Sequence, residues 1–541
     1  MQDFVNLFSS LDSTTKTLEK IGYIEEYLQK SSPLDSIYAI SFLTGRKPKG
    51  LVNRRKLREW VAKEANVPDW LFDESYYTVG DLGETIALLL PEGKGDLQGS
   101  LQEWIENNIY TLKGAEEEDQ KELILSSMAQ MTKVQRFVYV KLITSSFRVG
   151  VSQSLVIKAI AKYAGIEESV VAHRMMGEWP LTEDFYNTLV STEELGYDSS
   201  RPYPFYLAYQ LDIGLDELGS PHEWQVEWKY DGIRCQIIKR KGEVFIWSRG
   251  EEMINETFPE IAEAALLLPD GTVLDAELMA WKDGLPMRFS DLQRRIGRKK
   301  PSKKIMSEVP IAAICFDILE YGDRDIRQEQ LIDRRQSLNT VIEDLEDEAI
   351  ITSEPIVANT WEEYAEIRKN SRDRLVEGFM LKRTDSPYRN GRRKGDWWKW
   401  KIDPLTADAV MIYAQRGSGR RATLYSDYTF AVWNDGKLIP FAKAYSGLTD
   451  KEMAKIDKWI KSNTLERFGP VRSVKPEIVF EVAFEGIQRS TRHKSGIAVR
   501  FPRIHRVRDD KKPEEADTLD SLLSLIESHE KAYEKMRGAK G

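Results

Sequence analysis

Glu227-Trp228-Lys229-Tyr230-Asp231-Gly232-Ile233-Arg234 is the stretch on which the reading of this chain turns. It continues a period-two alternation, Trp224-Gln225-Val226-Glu227-Trp228, which predicts a strand. Asp231-Gly232 is a turn signal that leaves Lys229 exposed at the strand end. Glu227 precedes Lys229 by two residues and so shares its face of the strand. A lysine attacks an electrophile only as the free amine. With an ordinary pKa of about 10.4, roughly one lysine in a few thousand is in that form near neutral pH. Other cations or a metal ion nearby would favour it. Standing alone, Lys-x-Asp-Gly is most simply a hairpin. Its meaning rests on what accompanies it along the chain.

Downstream, Arg234 to Lys239 and Val244 to Trp247 read as strands joined by a turn at Lys241-Gly242. Short strands follow at Gly271 to Asp275, Ile311 to Cys315 and Phe379 to Lys382, with a helix over Asp333 to Leu345 between them. Residues 206–403 are therefore expected to form an α+β domain. Upstream, residues 1–205 read as all-α. Apolar residues recur at helical spacing in Leu18-Ile21-Ile24-Leu28 and in Leu155, Val156, Ala159 and Ile160. Ser152 is placed to cap the second of these helices and Gly165 to end it. Glu116-Glu117-Glu118-Asp119 reads as a solvated connection, and Pro202 and Pro204 as linker punctuation. Residues 404–541 carry short strands at Ala407 to Ala414, Thr423 to Trp433 and Glu477 to Phe484. A hairpin turn at Asn434-Asp435-Gly436 and a helix over Thr449 to Ser462 complete a pattern that suits a small barrel.

The 541 residues are enough for three or four domains at about 150 residues each. Lys plus Arg number 78 against 87 Asp plus Glu, a net charge of −9 that excludes a uniformly basic nucleic-acid binder but leaves room for a local basic groove. Two cysteines, Cys235 and Cys315, exclude a disulfide scaffold and a four-cysteine zinc module, and read as buried, reduced hydrophobes. The five histidines are too scattered for a local metal motif and read as bystanders. No run reaches the ~18–20 apolar residues of a membrane span. A soluble, intracellular protein is expected.

An ordered series of further segments changes the standing of Lys229. With Lys229, Asp231, Gly232 and Arg234 come Ser248-Arg249-Gly250, Leu274-Asp275-Ala276-Glu277-Leu278, Phe316-Asp317-Ile318-Leu319, Glu377-Gly378-Phe379-Met380-Leu381-Lys382 and Trp397-Trp398-Lys399-Trp400-Lys401. Arg500-Phe501-Pro502-Arg503 and Arg508-Asp509-Asp510-Lys511 close the series. In this order the chain resembles the covalent lysyl-nucleotidyltransferases, and among them the ATP-dependent DNA ligases, over most of its length. The resemblance implies that Lys229 is the nucleophile and that Glu227 lies in the adenine pocket. It implies Arg249 at the ribose or the DNA phosphate, Glu277 at the ribose hydroxyls and metal, and Phe316 stacked on adenine. Glu377 becomes a metal-site carboxylate, Lys399 and Lys401 grip the phosphates, and Arg234 and Arg393 line the nucleotide pocket. The C-terminal element would close over the triphosphate. One departure is Ala276, where the family's usual residue is glycine. The cofactors implied are ATP and Mg²⁺.

The residue types suit that role, because transfer of an adenylyl group needs positive charge and positioning more than acid–base work. The resemblance further implies an N-terminal DNA-binding domain, an adenylation domain, a C-terminal OB-fold, and nicked duplex DNA as substrate. Ser146-Phe147-Arg148-Val149-Gly150-Val151-Ser152 resembles a DNA-contacting loop of the helical domain, where a glycine turn feeding a helix start offers N–H groups to phosphate. Two basic runs flank active-site elements. Met287 to Lys304 holds eight Lys and Arg against one acidic residue, and Thr491 to Lys512 eight against two. Arg416-Gly417-Ser418-Gly419-Arg420-Arg421-Ala422 echoes a dinucleotide loop but lacks a βαβ setting. Trp397, Trp398 and Trp400 are expected to pack rather than stack on bases.

The alternatives are an RNA ligase or mRNA-capping guanylyltransferase with the same chemistry, and a non-catalytic DNA-binding protein. The helical domain disfavours capping, and two cysteines disfavour an NAD-dependent ligase with its zinc module. A monomeric, cytoplasmic, prokaryotic enzyme is expected.

Overall fold

The structure is a computed structural model that describes residues 1–48, 50–193, 200–298, 300–345, 347–417 and 423–538. Its contacts divide the chain into two compact units. One comprises residues 1–163, 181–187 and 404–528, the other 164–180, 188–403 and 529–541. No helix among the described residues is long and apolar enough to cross a membrane.

The second unit is built on two sheets. In the first, the strands run in the order Ile350–Thr352, Ile311–Tyr321, Thr272–Lys282, Ile233–Arg240, Glu243–Ser248. All pairs are antiparallel except that of Ile350–Thr352 with Ile311–Tyr321. One face packs Cys235, Ile237, Leu274, Ala276 and Cys315 against Ile261 and Leu338 of the helices Pro259–Ala265 and Leu331–Glu343. Both cysteines are buried and free, as expected. Lys241 and Gly242 both take positive φ, the geometry of a tight hairpin that follows the strand twist.

The second sheet runs Pro355–Ile356, Trp224–Trp228, Gly378–Arg383, Trp397–Lys401, Tyr209–Gln210. Its alternation sends Trp224, Val226, Phe379, Leu381 and Trp398 to one face, where they pack on Trp361 and Tyr364 of the helix Trp361–Lys369. The side chains between them point the other way and belong to the site described below.

In the first unit, residues 1–163 are helical. Phe4, Phe8, Phe42 and Phe147 form an aromatic core with centroids 5.4–6.3 Å apart. The side chain of Arg136 is buried and donates to the carbonyls of Ala87, Leu90, Pro91, Met128 and Met131, so one cation gathers the C-terminal ends of two helices, Leu82–Leu89 and Glu117–Gln130. Helix Gln153–Ala164 starts as expected, with Ser152 Oγ accepting from the Leu155 N–H at 3.3 Å, and it ends before Gly165 at φ +67. The helix expected over Leu18 to Leu28 forms, with one residue off its packed stripe, and one expectation elsewhere fails. Leu18 is 82% exposed although Ile21, Ile24 and Leu28 are buried, because it lies in the first turn of helix Thr17–Lys30, ahead of the packed stripe. Glu117, Glu118 and Asp119 are not a connection but the first turn of helix Glu117–Gln130, where the positive end of the helix dipole favours them.

Residues 404–528 of the same unit form a β domain. The long strand Leu405–Arg416 pairs with Val479–Phe484 along its first half and Val471–Val474 along its second, with a bulge at 411–413 between them. Tyr425–Asn434 and Lys437–Ala444 form the expected hairpin, with Asp435 and Gly436 at positive φ. Helix Asp450–Ser462 opens with a Thr449–Glu452 capping box. The sheet is an open half-barrel: among the described residues its edge strands Lys437–Ala444 and Thr464–Phe468 do not pair with each other, and a closed barrel is not formed.

Gly378 marks the tightest approach in the second sheet. Its φ is +122, and a Cβ there would sit 2.4 Å from the Trp400 carbonyl oxygen. Gly378→Val is expected to cost roughly 2–4 kcal/mol of stability, readable as a lowered urea midpoint.

Candidate active site

Alternation along three neighbouring strands builds one wall of a cleft. Register sets Gln225 beside Lys382 and Lys382 beside Trp397, Glu227 beside Met380 and Met380 beside Lys399, and Gly378 beside Lys401. Residues directly opposed across strands share a face. Lys229, Glu227, Met380, Lys382, Lys399 and Trp397 all line a cleft of about 1320 Å³. Arg234, Glu277 and Phe316 line it from the first sheet, and Arg249 from the segment after Glu243–Ser248.

Lys229 is held at three points by one dipeptide. Its N–H donates to the Gly378 carbonyl and its own carbonyl accepts from the Glu377 N–H, both at 2.8 Å. Its Nζ lies 2.5 Å from Glu377 Oε2, which also meets Lys401 Nζ at 3.3 Å. Burial alone would raise the Glu377 carboxyl, but Lys229 and Lys401 outweigh it and hold its pKa below the ordinary range. Lys399 responds to the same crowding: burial first, then Arg392, Lys229 and Lys401, press its pKa down. The cleft therefore concentrates positive charge around the amine.

Gly232 explains the turn after Lys229. A Cβ there would stand 2.2 Å from the Leu278 carbonyl oxygen, so only glycine lets this turn lie against the Glu277 strand. From that position the Gly232 N–H donates to Glu277 Oε1 at 3.0 Å. Burial raises the Glu277 carboxyl to about 7 despite the opposing pull of Lys229 and Arg234.

Arg234 forms a bidentate pair with Asp275 at 3.1 and 2.8 Å and donates to the Tyr206 carbonyl at 2.7 Å. It also lies 5.3 Å from the centre of the Phe316 ring. Its guanidinium thus braces the cleft wall behind Phe316. Glu227 is buried with Lys382 at 2.9 Å and accepts further bonds from Ser353 Oγ and the Gln225 amide.

Most residues expected from sequence meet here. Lys401 reaches the group through Glu377 rather than by lining the cleft. Arg249 is exposed at the rim. Arg393 is exposed and outside the lining, whereas its neighbour Arg392 is within it. Sequence reasoning missed Arg392, Lys382, Ser353 and Asp275. Lys382 alone carried a legible signal, since it falls in phase with Met380 on its strand. Trp398 and Trp400 pack as expected, but Trp397 both packs and lines the cleft. His173 lies outside the cleft lining and is tilted against Tyr203 at 5.4 Å. Burial, with Arg327, Arg240 and Arg201, pushes its pKa down to about 4.

The basic runs are partly committed to structure. Arg295 is buried against Glu260 at 2.7 Å. Arg503 pairs with Glu485, Arg506 with Glu481, and Arg508 and Lys511 with Asp408. Of the glycine-rich stretch, residues 418–422 lie outside the described residues.

A lysine in contact with a carboxylate, ringed by cations and facing an aromatic side chain and a second carboxylate, suits covalent nucleotidyl transfer. The comparisons agree in class. The ATP dependent DNA ligase domain matches residues 210–401, the DNA ligase N terminus residues 1–161, and the ATP dependent DNA ligase C terminal region residues 421–511. A probable DNA ligase of Koribacter versatilis is 32% identical, over 99% of this chain and 99% of its own. A DNA ligase of Thermococcus fumicolans is 29% identical, over 97% of both. The fold matches the solved structure Pmar-Lig_PreS3 with a TM-score of 0.64 at 17% identity, covering 93% of this chain and 99% of that one. The chain belongs to the ATP-dependent DNA ligase family and is an enzyme.

Glu277 gives a pH signature. Its folded pKa lies above that of a free glutamate, so the native state binds the extra proton between the two values. Its contribution to stability is present below the unfolded pKa and is lost as pH rises through about 7. Urea titrations from pH 5 to 8 should show this loss in the nucleotide-free protein, and Glu277→Gln should flatten it.

Proposed function

We propose that Lys229 takes AMP from ATP in this cleft and that the enzyme passes it to a nick in duplex DNA. The observation that carries this reading is the Lys229 Nζ–Glu377 Oε2 contact at 2.5 Å within a crowd of cations. The neutral Lys229 amine attacks the α-phosphorus, an N–P bond forms as the nitrogen gives up a proton to solvent, the bridging P–O bond breaks and pyrophosphate leaves. A 5′-phosphate oxygen at the nick then attacks the same phosphorus, and Lys229 leaves and regains a proton. Finally the 3′-hydroxyl attacks the activated 5′-phosphate, loses its proton and displaces AMP, which seals the strand.

Lys399, Lys401 and Arg392 offset the charge that develops on the phosphates. Phe316 faces the base and Glu227 hydrogen-bonds to it. Arg249 at the rim meets the ribose or a DNA phosphate. Arg234, paired with Asp275, keeps Phe316 in place.

The residues fit Mg²⁺ at Glu277, a carboxylate that burial makes reluctant to ionise without a cation. Glu377 already serves two lysines and is the lesser ligand. Among the described residues no three acidic, His or Cys side chains converge, so phosphate oxygens and water would complete the shell. When bound, Mg²⁺ supplies neutralisation of phosphate charge.

The domains are read as a DNA-binding domain over 1–205, an adenylation domain over 206–403 and an OB-fold domain over 404–541, in a monomeric enzyme. The bacterial and archaeal relatives support a prokaryotic origin, and a cytoplasmic setting is part of the same proposal.

Intact-protein mass spectrometry tests this directly. After pyrophosphate treatment to strip bound AMP, ATP with Mg²⁺ should add one AMP to the protein and nothing to Lys229→Ala. Lys399→Ala should slow adduct formation by about 100-fold or more. An adduct on Lys229→Ala, or sealing of nicks by it, would refute the assignment.

A further inference from the structure

Residues 64–93 hold seven Asp and Glu and no Lys, Arg or His. Basic residues reach three of these carboxylates from elsewhere in the helical region. Arg58 meets Asp73, Lys141 meets Asp81, and Lys133 lies 4.0 Å from Glu92. Glu64, Asp69, Glu74 and Glu84 are exposed. In a chain that acts on DNA, this stretch presents a surface that repels a polyanion and attracts positive charge.

The same stretch frames an apolar groove. Helices Asp69–Val79 and Leu82–Leu89 meet at a sharp turn, in which Gly80 takes φ +80 and Asp81 Oδ1 accepts from the Glu84 N–H at 3.1 Å. Helical spacing brings Leu71, Glu74 and Thr78 to one wall and Thr85, Leu88 and Leu89 to the other, around a cavity of about 360 Å³. Leu71 is 40% and Leu88 55% exposed, and Trp70, beside Leu71 in the chain, is 67% exposed. Single leucines scattered over a surface are ordinary, but two leucines on facing walls with a tryptophan next to one of them form a patch. Each wall also carries an acid in phase with its leucine: Glu74 follows Leu71 by three residues, and Glu84 precedes Leu88 by four.

This chemistry narrows the occupant. DNA, a nucleotide and the anionic face of a membrane all bring negative charge to a negative rim. An apolar groove between two helices accepts a third by the ridge-and-groove packing that joins helices within a domain. A helix with aliphatic side chains along one stripe and Lys or Arg on its flanks fits both the floor and the rim.

We propose that this groove is a docking site for a partner protein, which lays an amphipathic helix between Asp69–Val79 and Leu82–Leu89, its aliphatic side chains inward and its basic side chains against Glu74 and Glu84. The residues that line the groove and those that line the nucleotide cleft are separate sets, so the partner recruits the enzyme without entering the reaction.

A synthetic helix tests this on the full chain. The probe is a fluorescein-labelled peptide of about 18 residues made of Leu, Lys and Ala, with its leucines at helical spacing along one stripe. The control peptide has the same composition with the leucines dispersed around the helix. Anisotropy should show the first peptide binding with a Kd on the order of 10–100 μM and the control about tenfold more weakly or worse. Leu71→Gln with Leu88→Gln should weaken the first peptide by about tenfold. Glu74→Gln with Glu84→Gln should weaken it several-fold and flatten its salt dependence. All four side chains are exposed, so both double variants should fold, form the AMP adduct and seal nicks as the wild type does. Where the leucine variant does not fold, the glutamate variant carries the test. Equal binding of the two peptides, equal binding by the wild type and the folded variants, or no binding at about 1 mM peptide overturns the proposal. Weaker binding of nicked duplex DNA by the variants gives the groove to DNA, and a wild-type dimer in sedimentation that Leu88→Gln dissociates gives it to a second copy of the chain. Either result also overturns it.

Discussion

Lys229 is bound to Glu377-Gly378 by two backbone hydrogen bonds and a side-chain contact, and the site is assembled around that junction. The backbone bonds are an antiparallel pairing carried past the formal end of the Trp224–Trp228 strand. They fix where the amine emerges. The ion pair then fixes where it points. Because Glu377 also holds Lys401, the same carboxylate ties Lys229 to the strand Trp397–Lys401. Three strands distant in sequence thus meet at one carboxylate.

The sheet that carries this junction is a two-sided object. Its tryptophans and aliphatic residues pack against a helix, and its lysines, Glu227 and Met380 face the cleft. Packing on one face gives rigidity to the other, so the charged residues can be held close together without collapse. The cost of burying charge appears in the depressed Lys399, where neighbouring cations add to the effect of burial, and in the elevated Glu277, where they oppose it. Both shifts describe a site whose charges are balanced for a highly anionic ligand rather than for water.

Charge elsewhere in the chain has a different use. Arg136, Arg295 and Arg508 look in sequence like any other basic residues, yet in the fold they bind carbonyls or carboxylates. A run of lysines and arginines therefore reports composition and leaves open which members are free to meet phosphate. His173 makes the same point from the other side, since an isolated histidine became a half-buried member of an arginine-rich network.

The site was legible in sequence wherever strand periodicity carried it. Glu227 and Lys229 share a face by their spacing of two, and the alternation of the strands predicted which residues would be polar together. Gly232 and Gly378 were visible as glycines, and the reason for them is the backbone 2.2 and 2.4 Å from where a Cβ would lie. Boundaries of long strands and capped helices were also local properties, set by turn residues and caps. The register between strands was not, because nothing within Gly378–Arg383 states that Lys382 will face Glu227 or that Arg392, rather than Arg393, will reach the cleft. The acidic first turn of helix Glu117–Gln130 was misread as a connection for the related reason that helix ends depend on neighbours. The sequence by itself determined the motif that carries Lys229, the alternation that aims it, and the family to which the chain belongs. Only the tertiary structure decided the partners of each charge and left the C-terminal sheet open, because those depend on which distant strands come within hydrogen-bonding distance, a property no local spacing contains.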